Sequence, residues 1–291
     1  MDFNLKKYQN ILREMTFVFD KYCRNNNLKY SLCAGSLLGA IRHHGIIPWD
    51  DDVDVMMPRP DYNKLLELSK KNFPKGFAII HARNTAHYYL PLAKMTNLNT
   101  GMIVMRQNME CPVGINIDIF PVDVIHEDTT KADDIYIKFL SDYEKASVTA
   151  TYSLFQSPFE NGKFRIRTIL HYFRNRIFRT IYNSSKIFEE MDKKISMESW
   201  EKGKKCRIYS SYQYHNRLFD RNIFDEYIDI EFEGLKVMCI KDYDTYLTIL
   251  FNDYMKLPPI EKQVCHHHHY FLDMDRGYSL DELRTIGVIK N

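Results

Sequence analysis

The chain has 291 residues, 45% of them apolar, and its 40 basic and 38 acidic side chains leave a net charge of +2. That length suits one or two domains with a sizeable core, and a charge so close to neutral gives no reason to invoke nucleic acid. No apolar run reaches the roughly 18 residues of a membrane span, Met1-Asp2-Phe3-Asn4 lacks the basic and apolar regions of a signal peptide, and six cysteines without a C-x-x-C pair read as reduced cytosolic thiols.

Residues 3–25 carry Leu5, Tyr8, Leu12, Met15, Phe19 and Tyr22 at alternating three and four spacing, which predicts an amphipathic helix with a core stripe. Leu28 to Ala34 reads as a buried strand and Leu37 to Arg42 as a short helix. Between them Gly35 permits a tight turn and close approach of a ligand. The amides around Ser36 then sit near a helix N-terminus, a favourable place for an anion. The Ser36 hydroxyl has two readings, a helix cap or a phosphate contact. Neither G-x-G-x-x-G nor G-x-x-x-x-G-K-[ST] occurs, which argues against a Rossmann fingerprint or a Walker loop.

The segment Trp49-Asp50-Asp51-Asp52-Val53-Asp54-Val55 follows. If 52–55 is extended, Asp52 and Asp54 face one way and Val53 and Val55 the other, with Asp50 sharing the parity of the acids. Carboxylates on one face repel, and a divalent cation relieves that repulsion. Oxygen ligands of this kind suit Mg²⁺ or Mn²⁺. Taken alone, a D-x-D is more simply a solvated turn. Trp49 packs under this loop or stacks on a base or choline. Asp61 to Lys70 reads as a helix capped by Asp61.

Ile115 to Phe120 alternates, placing Ile115, Ile117 and Ile119 in a core and Asn116, Asp118 and Phe120 on the other face. Asp118 is then a carboxylate on a half-buried strand, either paired with an Arg or Lys or sharing the cations of Asp52 and Asp54. Residues 127–205 look mainly helical. Within them 161–188 holds seven Lys or Arg and no acid, either a basic face on a packed helix or a surface for anionic membrane. The last part mixes aromatics with a strand at Leu235 to Ile240, a helix at Tyr243 to Tyr254 and the stop Pro258-Pro259.

Gly-Ser, then D-h-D-h on a strand, then a third Asp on a later strand is the pattern of the nucleotidyltransferase fold of the DNA polymerase β type. GSLLGAIRHHGIIPWDDDVDV, PLAKMT, INIDIFPVD, FEGLKV and YMKLPP resemble the LicD family, over roughly 25–126 and 230–270. Those proteins transfer phosphocholine from CDP-choline to cell-surface glycans, and fukutin-type phosphoribitol transferases are distant relatives. The resemblance implies an α/β (α+β) fold, a mixed sheet flanked by helices with a helical middle insertion. The divisions are a catalytic core at 1–126, the insertion at 127–205 and a C-terminal part at 206–291 that completes the site.

The expected site has Asp52, Asp54 and Asp118 on Mg²⁺ (or Mn²⁺), with Asp118 the candidate base. Gly35, Ser36, Arg42 and Lys94 would meet phosphate charge, although a surface ion pair is an equal reading of Arg42 and Lys94. Asp50, Trp49, Asp123 and His267 would stand behind these; the family has a His near the run His266 to His269. The expected partners are a CDP-linked donor and a glycan or lipid-linked glycan, in the cytoplasm or at the inner face of the membrane. The rivals are a D-x-D glycosyltransferase using a nucleotide sugar and a non-catalytic glycan- or membrane-binding protein.

Overall fold

Asn4 starts the first helix by accepting the Lys7 amide on its side chain at 3.0 Å. The computed structural model describes residues 4–85, 88, 90–104, 114–150, 159–160, 163–164, 177, 181, 183–211, 216–265 and 269–288. His267, Cys111 and most of the basic segment 161–188 lie outside the described residues. From the Asn4 cap, α1 (Leu5–Asn25) buries Tyr8, Leu12, Met15, Phe19 and Tyr22, the expected stripe.

Next come β1 (Ser31–Leu32), α2 (Ala34–His43), β2 (Asp54–Pro58), α3 (Arg59–Ser69), β3 (Phe77–Ile80), β4 (Ala93–Asn97), β5 (Gly101–Val104) and β6 (Asn116–Val124). The middle holds α4 (Thr129–Ala150), the hairpin β7 (Phe159–Glu160) with β8 (Lys163–Phe164), and α5 (Ser184–Ile195). The remainder holds β9 (Lys205–Arg207), β10 (Phe219–Asp220), β11 (Tyr227–Phe232), β12 (Leu235–Ile240), α6 (Tyr243–Phe251), β13 (His269–Asp273) and α7 (Leu280–Thr285).

The main sheet runs β1-β2-β6-β4-β3, with β9 continuing beside β6 and carrying β10. Only β2 and β6 run parallel in it; the other pairs are antiparallel. One face of β2 and β6 is core: Val55, Ile117 and Ile119 are fully buried. The C-terminal part joins this layer through β9 and Ser31, and forms a separate two-stranded sheet with β5. The Ser31 hydroxyl accepts the Ile240 amide at 3.1 Å, β13 pairs with β5, and β9 pairs with β6 at Asp123 and Val124.

Several boundaries differ from the expectation. The strand expected from Leu28 shrinks to two residues because the chain turns early, through Ala34 at φ +45°. Helix α2 therefore starts three residues ahead of Leu37, and Gly35 and Ser36 lie in its first turn. Asp61 does not cap α3, which begins at Arg59 with Pro60 in its first turn; its carboxylate accepts the Lys29 amide at 3.0 Å instead. Helix α6 ends at Phe251 and not Tyr254, stopped by Asn252 at φ +58°. The 127–205 region includes the β7–β8 hairpin and the start of β9 besides its helices.

Candidate functional site

The register of three strands assembles the site. Asp54 on β2 is the Cα partner of Asp118 on β6, and Asp118 is the partner of Lys94 on β4. Residues level on adjacent strands project to the same face. One rung therefore presents two carboxylates and an ammonium away from the core. Asp52 precedes β2, and the expected alternation holds there: Val53 and Val55 are buried while Asp52 and Asp54 are part-exposed.

Two contacts fix this rung against α2. The Ser36 hydroxyl accepts the Asp54 amide at 2.7 Å, and the Cys33 amide donates to the Asp54 carbonyl at 3.0 Å. Ser36 thus holds the strand; the helix N-cap position is Cys33, which makes no side-chain cap. Gly35 lies close against the acidic loop. A Cβ there would stand 3.2 Å from a carboxylate oxygen of Asp50. The acidic loop is also held from α1, where the buried Gln9 donates its amide to the Asp50 carbonyl at 2.8 Å. Gln9 escapes sequence reading because a glutamine in an amphipathic helix looks like a surface residue.

Charge is concentrated on this face. Burial raises the Asp50 pKa to about 7, with Asp52 and Asp51 adding to it. Burial pushes Asp54 well above the carboxylate range, reinforced by Asp52, Asp118 and Asp50, while Lys94 acts the other way. Lys94 is ion-paired to Asp118 and donates to the Asn116 side chain at 2.9 Å. The Tyr8 hydroxyl is raised by burial with Asp51, Asp52 and Asp118 nearby, and the ring of His269 stands 5.3 Å from that of Tyr8. His269 is thus the described member of the histidine run, packed on Tyr8.

A cleft of about 730 Å³ opens over the rung. Gly35, Arg42, Trp49, Asp50, Asp52, Asp54, Asp118 and Phe120 line it from the first half of the chain. Phe251, Asp253, Tyr254, Lys256 and Lys262 close its opposite side. Tyr254 and Lys256 belong to the YMKLPP stretch and Phe251, Asp253 and Lys262 flank it, within the C-terminal part expected to complete the site, although none was singled out as a site residue. Arg42 connects the two sides, donating to the carbonyls of Tyr254 at 2.9 Å and Lys256 at 3.3 Å. Trp49 is part-buried against the core and meets His43 edge-on at 5.8 Å.

Asp123 stands apart from the others. It lies five residues along β6 from Asp118, roughly 17 Å at strand rise. It is buried in a two-point pair with Arg59 at 2.5 and 2.7 Å, and Arg59 also reaches Asp192 at 2.7 Å. Its expected place behind the metal ligands is corrected: it ties α3 and α5 to the sheet.

The donor set tests the expected cation. Asp52, Asp54 and Asp118 offer hard oxygens, and the raised Asp54 and Asp50 record repulsion that a divalent ion would relieve. Among the described residues, no three His, Cys, Asp or Glu groups are gathered closely enough to hold a metal ion as they stand. The side chains therefore fit the ion in kind, with Asp118 turned to Lys94. Among the described residues no helix is long and apolar enough to cross a membrane.

Residues 27–166 match the family model described as LicD/FKTN/FKRP, nucleotidyltransferase domain, a span that runs past the expected boundary at 126. The chain is 27% identical over 272 residues to the lipopolysaccharide cholinephosphotransferase LicD of Haemophilus influenzae, covering 90% of this chain and 96% of that protein. A shorter stretch of 58 residues is 40% identical to an uncharacterized protein of Rickettsia prowazekii, covering 20% of this chain and 22% of that protein. With a nucleotidyltransferase domain model matching 27–166 and a relative matched along nearly its whole length, the chain is similar to the LicD family of transferases.

Proposed function

We propose that this chain transfers phosphocholine, or a similar phosphoryl-linked head group, from a CDP-activated donor to a hydroxyl of a glycan or its lipid-linked precursor, releasing CMP. The observation that carries the reading is the Asp54–Asp118 register at the floor of a nucleotide-sized cleft. The likeness to a lipopolysaccharide cholinephosphotransferase supports the choice of head group and acceptor.

In this reading Asp52, Asp54 and Asp118 hold Mg²⁺ or Mn²⁺, which when bound would neutralise diphosphate charge and acidify the acceptor hydroxyl. The chain's own groups do the rest. The first turn of α2 at Gly35, and Lys94, meet the phosphates. The cleft walls hold the acceptor oxygen in line with the bond to be broken. That oxygen forms a bond to the phosphorus bearing the head group, the bond from that phosphorus to the CMP oxygen breaks, and the hydroxyl proton passes to a carboxylate, for which Asp118 is placed. The reaction takes place in the cytoplasm or at the inner membrane face. Incubation with Mg²⁺, a panel of CDP-linked donors and a glycan acceptor should release CMP with a new phosphodiester. Release of UDP or GDP from a nucleotide sugar, with a new glycosidic bond, would overturn it.

A further inference from the structure

We propose that Lys94 and a divalent cation compete for Asp118, so that cation binding hands the lysine from that carboxylate to an incoming phosphate. The inference rests on the cation-site reading above and deepens it. Lys94 has two partners on one rung of the sheet, Asp118 and the Asn116 side chain at 2.9 Å. Its side chain is only 13% exposed and that of Asp118 25%, so water screens the pair little.

An ammonium on a four-carbon stem is a compact, mobile point charge. A carboxylate oxygen that carries it cannot also enter the close shell of Mg²⁺, whose oxygens sit at about 2.1 Å. Two cations on one carboxylate also repel each other. Cation binding at Asp52, Asp54 and Asp118 therefore weakens the Lys94–Asp118 pair, and displaces it where the ion takes the oxygen that Lys94 holds. Asn116 still offers its acceptor, which keeps the freed ammonium beside Asp118, itself a residue of the cleft lining. A donor phosphate is then the strongest remaining anion within its reach. Competition of this kind is reciprocal: whatever Lys94 takes from cation affinity, the cation takes from the ion pair.

The test measures Mn²⁺ binding by calorimetry and by the electron spin resonance of the ion, without substrate. Lys94→Met and Lys94→Gln should bind Mn²⁺ about fivefold or more tightly than the parent, while Lys94→Arg should not. A lysine that merely supports the fold gives the opposite sign, since its loss leaves the site looser. The second readout is CDP affinity with and without saturating Mn²⁺; the gain on adding Mn²⁺ should be smaller in Lys94→Met than in the parent. Equal or weaker Mn²⁺ binding in both neutral variants overturns the competition, and an undiminished CDP gain overturns the handover. Binding that Asp52→Asn/Asp54→Asn abolishes but Lys94 does not influence sinks this inference alone. No Mn²⁺ binding by the parent or any variant sinks the cation site as well.

Discussion

Asp54 and Asp118 sit level on the one parallel strand pair of the main sheet among the described residues, Cα partner to Cα partner. Two like charges are thereby built into the backbone register. Asp54→Asn should lower head-group transfer by about 10³-fold or more. It should also raise the melting temperature in chelator by about 2 °C, because a buried repulsion is removed. A melting curve and a CMP-release assay on the same preparation test both; a fall in melting temperature would contradict the electrostatic account.

The same acids set a pH dependence. Asp50 titrates at about 7 in the folded chain, and Asp54 is also raised, whereas an unfolded aspartate titrates near 4. The folded state then binds more protons than the unfolded one across that window, so stability falls as pH rises through it. In chelator, urea melts at pH 5, 6, 7 and 8 should show declining stability. Asp50→Asn should flatten the decline.

Arg59 and Asp123 are both buried and joined at two points. Asp123→Ala leaves a buried guanidinium short of a partner and should cost about 3–5 kcal/mol. Transfer per folded molecule should persist, because the pair lies away from the carboxylate rung. Thermal melts with active-site titration separate the two effects.

Arg42 anchors the far wall of the cleft through the Tyr254 and Lys256 carbonyls. Arg42→Met should free that wall, raise the donor KM by about tenfold and change kcat less. Limited proteolysis should cut faster between 252 and 262. An unchanged cleavage rate would show that the wall holds without it.

Ser36→Ala removes the acceptor of the Asp54 amide and should destabilise the protein by about 1–3 kcal/mol. Activity should fall with it, since Asp54 loses its alignment. Ser36→Thr keeps the hydroxyl and should recover part of both.

What the sequence disclosed was local. The alternation of Asp52, Val53, Asp54 and Val55, and of Ile117, Asp118 and Ile119, follows from the two-residue period of a strand, and it placed all three acids on the outward face. Strand pairing is not local. Nothing near Lys94 announces that β4 lies across β6 with Lys94 level with Asp118. The cap reading of Ser36 fails because the early turn at Ala34 moved the helix start. The cleft wall from Phe251 to Lys262 contains the YMKLPP stretch but little regular structure, so no periodicity in it tells which side chains face the acids.

That wall has a consequence for assembly. Arg42 grips carbonyls 212 and 214 positions downstream, and β6 gains β9 from across a long helical excursion. Contacts so remote in the chain close slowly, since the loop between them must be ordered first. A nascent polypeptide can thus align its acidic rung while one flank of the pocket is still being synthesised. The pocket gains its second flank only when the segment from Phe251 to Lys262 docks against α2.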